Sequence, residues 1–177
     1  GSDIVAVPTT AENGYHIPDA ATIEQYITPR TKGILLSNPG NPTGVIYTKQ
    51  EMETIAKVVL KYDLALIADE VYREFVYDGT YESFGTMRSL DNNLIMIDSI
   101  SKRFSACGAR IGSIITKNKA LHAPLLKCCQ ARLCCPTLEQ IGATALYNTP
   151  KSYFKAVNDK YKKRRDTIKT ELAKLPG

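Results

Sequence analysis

Between Asn93 and Gly112 the chain reads NLIMIDSISKRFSACGARIG. The aliphatic run Leu94-Ile95-Met96-Ile97 has the character of a strand buried in a parallel sheet. Sheets of that kind bind ligands where their strands end. Here the run stops at Asp98, a polar turn Ser99-Ile100-Ser101 follows, and a single lysine, Lys102, comes next. Arg110 lies eight residues further on, between Gly108-Ala109 and Ile111-Gly112. A lysine just past a strand end, flanked by hydroxyls and followed by an arginine, is placed to work beside a bound anion. An ordinary loop with a surface Lys and Arg fits this stretch as well, and the stretch alone leaves both readings open.

Similar runs recur along the chain. Ile4–Val7 reads as a short strand closed by Pro8, and Gly33–Ser37 as a buried strand. The latter enters Asn38-Pro39-Gly40-Asn41-Pro42-Thr43-Gly44, so rich in Pro and Gly that its backbone must be tightly fixed. Leu64–Ala68 ends at Asp69-Glu70, and Ile111–Thr116 forms a further strand. Helical patterns lie between them. One spans Ala20–Ile27, and another runs from the capping box Thr48-Lys49-Gln50-Glu51 to about Tyr62. The second would turn Met52, Ile55, Ala56, Val59 and Leu60 inward. Asn118 caps a helix to about Leu133, Pro136–Tyr147 makes another, and Thr149-Pro150 opens a long basic one. Alternation of strand and helix predicts an α/β fold, a mostly parallel sheet with helices on both faces. The boundary falls near Thr149, giving units 1–149 and 150–177.

Composition narrows the function. A length of 177 residues suits one substantial core. No apolar run is long enough to cross a bilayer and no signal peptide opens the chain, so no membrane partner is expected. The abrupt entry into a strand points to a piece of something longer. Of five cysteines, four form adjacent pairs, Cys128-Cys129 and Cys134-Cys135. That spacing differs from the C-x₂₋₄-C of structural zinc sites, so buried helical thiols are expected and no metal. An odd cysteine count without a secretory signal predicts a reducing, cytoplasmic setting. From Lys151 to Lys174, nine Lys or Arg stand against three acids, a net +6. These charges interleave with Phe154, Val157, Tyr161, Ile168, Leu172 and Leu175, as on a helix with a solvated face, so nucleic acid is not expected as a partner.

Three strand ends carry the chemistry: Asn41 after one, Asp69 at the next, and Ser99 to Lys102 after the third. Singly, an Asn in such a turn is commonly a turn former, and an Asp ending a strand commonly caps a helix. Together with one lysine they fit pyridoxal 5'-phosphate, which needs an amine for its aldehyde, an acid opposite its ring nitrogen, and anion-binding groups. Other chemistries lack their parts. Only His16 and His122 are available and there is no G-x-S-x-G, no G-x-G-x-x-G after a strand and no Walker A.

Asn38–Gly44, Asp69-Glu70-Val71-Tyr72 and Ser99-Ile100-Ser101-Lys102 with Arg110 resemble the class I/II pyridoxal-phosphate-dependent aminotransferases of the aspartate aminotransferase type. The spacings agree: 28 residues from Asn41 to Asp69, 3 more to Tyr72 and 30 more to Lys102. The resemblance covers nearly the whole chain but only the middle of the family's chain. It implies that 1–149 is a partial cofactor-binding large domain and 150–177 a long helix toward a small domain. It implies that Lys102 forms the Schiff base with the cofactor and shuttles the substrate's α-proton. Asp69 would keep the pyridine nitrogen protonated, Tyr72 and Asn41 would hydrogen-bond the ring's phenolic oxygen, and Ser99, Ser101 and Arg110 would hold the phosphate. One departure is Ala109, where many relatives carry a bulky aromatic. A larger one is the absence of the glycine-rich phosphate loop, the ring-stacking aromatic and the arginine that clamps the substrate carboxylate.

The activity implied is transfer of an amino group between an amino acid such as aspartate and a 2-oxo acid, by a cytoplasmic homodimer. The 177-residue chain by itself is not expected to transaminate. Two alternatives keep the same site: a C–S lyase or ring-forming synthase, and a transcription regulator that uses such a domain to sense the cofactor.

Overall fold

The computed structural model describes residues 2–175, and a four-stranded sheet lies at its centre. The strands are β1 (Gly33–Ser37), β2 (Ala65–Asp69), β3 (Leu94–Ser99) and β4 (Gly112–Ile115), in spatial order β1-β2-β3-β4. The first three are parallel, and β4 runs antiparallel to β3. The helices are α1 (Ala20–Glu24), α2 (Lys49–Lys61), α3 (Ile100–Arg103), α4 (His122–Gln130), α5 (Thr137–Ala143) and α6 (Lys151–Leu172). The α/β class and the mostly parallel sheet are as the sequence predicts.

Alternation along the strands assigns the two faces. Leu66, Ala68 and Leu94 are buried with Met52, Ile55, Ala56 and Val59 of α2 and with Phe84 and Leu90, while Ile34, Leu36 and Met96 pack beside them. The aliphatic stripe on α2 recurs at helical spacing, which is why that helix lies on the sheet. Val58 is buried where Leu60 was expected, and Leu60 is 45% exposed. The buried face of α2 is therefore wider than one stripe, because α1 also packs against it. The second face of the sheet differs. Register aligns Leu35 with Ile67 and Ile67 with Ile95, and aligns Ile97 with Ile114. Leu35 and Ile114 are exposed and the others only half-buried. This face is less shielded than the one that carries α2.

Several boundaries depart from expectation. Residues 2–10 form no strand, because nothing pairs with Ile4–Val7; Gly1 and residues 176–177 lie outside the described residues. The first helix is α1 alone, ending at Glu24 rather than Ile27. Asn118 caps a 3₁₀ turn, Lys119–Leu121, ahead of α4, and α4 stops at Gln130. The stretch 136–147 divides into α5 and a 3₁₀ segment, Thr144–Asn148. Pro150 rather than Thr149 precedes α6, with no side-chain cap. All five cysteines are exposed; the two adjacent pairs, expected to be buried, lie on α4 and the stretch after it, whose residues are exposed almost throughout. No helix among the described residues is long and apolar enough to cross a membrane.

α2 begins at a complete capping box, Thr48 Oγ1 accepting from Glu51 N–H and Glu51 from Thr48 N–H at 2.7 Å. Glu51 also accepts from Ile17 N–H at 3.0 Å and pairs with His16 Nδ1 at 2.9 Å, so it anchors the chain leading into α1. Burial acts to raise its pKa, but the Thr48, His16 and Ile17 hydrogen bonds outweigh it and hold the carboxyl below the usual range. A lowered carboxyl stabilises the fold above the ordinary glutamate range, and loses that effect as pH falls through its own depressed value. Glu51→Gln should therefore lower stability at neutral pH and flatten the acid limb of a urea-midpoint-against-pH curve.

Candidate active site

The ends of β1, β2 and β3 form one edge because their ladder continues past them. Asn38 N–H donates to Asp69 O at 2.9 Å, and Glu70 N–H donates to Ile97 O at 3.0 Å. Parallel strands held in this register bring Asn41, Asp69 to Tyr72, and Ser99 to Lys102 to the same carboxyl edge.

The first segment is fixed from both sides. Asn38 is fully buried, its Oδ1 accepting from Tyr47 N–H at 3.1 Å and its Nδ2 donating to Glu82 O at 3.4 Å. Gly40 N–H donates to Val45 O and Gly44 N–H to Gly40 O, both at 2.8 Å. A Cβ at Gly40 would lie 2.6 Å from Thr43 Oγ1 and 2.8 Å from Val45 Cγ1, so this close turn requires glycine. It carries Asn41 outward, where Nδ2 stands 3.5 Å from the Tyr72 hydroxyl.

Glu70 holds the second segment. It is fully buried, and its carboxylate accepts from the Tyr81 hydroxyl, from Ser83 Oγ at 2.6 Å and from Phe84 N–H at 2.9 Å. Burial, together with the adjacent carboxylate, keeps the Tyr81 hydroxyl protonated far above the usual phenol range. Next to it, Asp69 is half-buried and its Oδ1 accepts from Val71 N–H at 3.2 Å. Tyr72 then lies between Asn41 and the third segment, with the Lys102 ammonium 5.8 Å from its ring centroid.

The third segment is a strand that turns at once into α3. Ser99 is the N-cap: its Oγ accepts from Ser101 N–H at 3.1 Å and donates to Ile111 O at 2.9 Å. Ser99 and Ser101 hydroxyl oxygens lie 2.9 Å apart. Lys102 is exposed. Arg110 has a left-handed backbone with φ of 55°, and its Nη1 donates to Cys107 O at 2.9 Å, so the guanidinium is not paired with the two serines. The structure thus brings Asn41, Asp69, Tyr72, Ser99, Ser101 and Lys102 to one edge and leaves the Arg110 side chain on its own loop.

Glu70 had no assigned role in the sequence, although it follows Asp69 directly. Its signal is an acid continuing an apolar strand into the interior, a placement that requires partners. Asp98, Arg73, Glu74 and Arg103 were also missed; they form an ion-pair group beside α3. Its members come from β3, α3 and the loop after β2, so no local sequence pattern marks the group.

The family described as aminotransferase class I and II matches residues 1–177, and the chain belongs to it. It is 31% identical to a putative aminotransferase, YugH, of Bacillus subtilis over 97% of this chain and 44% of the relative. It is also 31% identical to a probable aspartate/prephenate aminotransferase of Thermus aquaticus, covering 97% of this chain and 45% of that protein. Among solved structures, an alanine aminotransferase from Pyrococcus furiosus superposes with a TM-score of 0.85 at 33% identity, over 96% of this chain and 44% of that one. The chain therefore spans less than half the length of the relatives it matches.

Pyridoxal 5'-phosphate is the cofactor of this family, and the donor set at the edge fits it: an amine, a carboxylate, a phenol beside an amide, and two hydroxyls. Arg110 has one of its N–H groups committed to the Cys107 carbonyl.

Glu70→Gln should destabilise the protein by roughly 2–3 kcal/mol, since a charged acceptor serving three donors is lost. Urea unfolding measures it, and Tyr81→Phe in the Gln background should cost less than in the wild type.

Proposed function

We propose that this chain is the central part of a pyridoxal-phosphate-dependent aminotransferase, acting between an amino acid such as aspartate and a 2-oxo acid. The observation that carries this reading is the lysine-phenol-amide row, Lys102, Tyr72 and Asn41, beside Asp69 at one strand edge. Membership of the family supports it. When bound, the cofactor supplies an aldehyde and a ring that accepts electrons as the substrate's α-proton leaves.

Lys102 Nζ would be the amine that holds the cofactor's aldehyde carbon, and it is the base placed to move the substrate's α-proton. Its exposed position at the end of α3 suits both tasks. Asp69 would accept a charge-assisted hydrogen bond from the ring nitrogen and so keep that nitrogen protonated. Tyr72 and Asn41, whose polar atoms stand 3.5 Å apart, would donate to the ring's phenolic oxygen. Ser99 and Ser101 would hold the phosphate together with Arg110, one of whose N–H groups donates to the Cys107 carbonyl. The reading extends to a cytoplasmic homodimer serving biosynthesis. Exposed thiols suit a reducing compartment, and exposed Leu126, Leu138, Ile141 and Tyr147 suit burial against a second subunit.

Borohydride reduction of the complete polypeptide with its cofactor, followed by peptide mapping, should place the pyridoxyl group on Lys102. Label on another lysine would overturn the assignment. Asp69→Ala should raise the barrier for α-proton removal by about 3–5 kcal/mol while weakening cofactor binding much less. Single-turnover kinetics separates the two effects. The 177-residue chain alone should bind the cofactor weakly and give no measurable transamination, because remote binding groups position a reacting centre.

A further inference from the structure

Two site residues are each followed by an arginine that reaches the same carboxylate. Arg73 follows Tyr72, and Arg103 follows Lys102. Arg73 Nη2 donates to Asp98 Oδ2 at 2.5 Å, and Arg103 Nη1 reaches that same oxygen at 3.5 Å. Arg103 Nη2 also donates to Glu74 Oε1 at 3.0 Å. The other oxygen of Asp98 accepts from Ser99 N–H at 2.8 Å, so Asp98 touches the start of the lysine-bearing turn as well. Two cations face two carboxylates, and the group is charge-balanced.

The group is also sheltered. The Asp98 side chain is 13% exposed and that of Arg103 21%. The Arg103 guanidinium lies 4.8 Å from the Phe104 ring centroid and 5.7 Å from that of Phe154 on α6. Ion pairs screened from water in this way are stronger than surface pairs, and removing one partner leaves a charge uncompensated.

What the group holds has little stability of its own. α3 is a single turn of four residues, and isolated turns of helix do not persist in water. Across the gap, Tyr72 sits in a turn region closed by Arg73 N–H to Glu70 O at 3.1 Å and Phe75 N–H to Tyr72 O at 2.8 Å. No direct hydrogen bond joins the Lys102 and Tyr72 side chains among the described residues; their separation is set by what lies behind them. We propose that Asp98 is a positioning residue that fixes Lys102 against Tyr72, through Arg103 on one side and Arg73 on the other. This rests on the reading that Tyr72 and Lys102 serve one cofactor.

The test uses the complete polypeptide without cofactor, its lysines reductively methylated with ¹³C-formaldehyde. The Lys102 resonance, assigned by its loss in Lys102→Arg, should be displaced by the Tyr72 ring current, and Tyr72→Leu should abolish the displacement. Asp98→Asn should remove at least half of it. Arg73→Gln and Arg103→Gln should each remove part, and combining either with Asp98→Asn should add nothing further. With cofactor loaded, Asp98→Asn should lower kcat about tenfold with a much smaller change in KM. A folded Asp98→Asn protein with the wild-type Lys102 resonance overturns the proposal, as do strictly additive effects. If Asp98→Asn does not fold, Arg103→Gln decides, because it leaves the Arg73–Asp98 pair intact; an unchanged resonance there overturns the proposal equally. Borohydride label on a lysine other than Lys102 would remove the cofactor reading while leaving the resonance result standing.

Discussion

A carboxylate without solvent contact governs the middle of this protein. Glu70 closes β2 and gathers three donors from residues 81–84. Those residues lead into Phe84, which fills the core against α2 and the sheet. The same Glu70 backbone continues the ladder to β3 and begins the turn that carries Tyr72. Core packing, sheet continuity and the exit of the reactive edge thus share one anchor. A buried charge is tolerable only when so fully satisfied, and the satisfaction here is what makes the exit of β2 rigid.

Much of this arrangement could be read from residues alone, and the reasons are local. Gly33–Ser37 and the Thr48 capping box were placed correctly, because both signals are confined to a few neighbouring positions. Asn41, Asp69 and Lys102 meet at one edge because parallel strands of similar length end together. The failures have a different origin. Ile4–Val7 has the right composition for a strand but finds no partner to pair with. The paired cysteines were expected inside because thiols usually are, yet α4 and the stretch after it are exposed almost throughout. The hydrogen bond from Arg110 to the Cys107 carbonyl gave no sequence signal, because a residue's spacing does not specify which way a guanidinium turns.

α6 is more than a trailing charged helix. Asn158 Nδ2 donates to Val76 O at 2.6 Å, and Tyr161 meets Phe75 edge-on at 5.4 Å between centroids. Asp78 takes Lys162 and Arg165 at 2.7 Å each, and those two hydrogen bonds hold its carboxyl below the usual range. The basic face thus meets the loop that carries Tyr72, while Phe154 covers Arg103 beside Lys102. One rod touches both sides of the reactive edge. Sequence patterning marked the helix, but Ile168, Leu172 and Leu175 of its apolar stripe are exposed while Lys162 is half-buried, and the loop it grips lies some eighty positions earlier in the chain.

The weakly shielded second face of the sheet has a calorimetric consequence. Leu35 and Ile114 already meet water in the folded chain, with Ile67, Ile95 and Ile97 only half shielded. Unfolding then wets less new apolar surface than the chain's length suggests. Heat capacity of unfolding tracks that newly wetted surface, so its value per residue falls below the about 12–15 cal/mol/K of compact domains. A smaller heat-capacity change flattens the stability curve, and the same deficit reduces the slope of stability against denaturant.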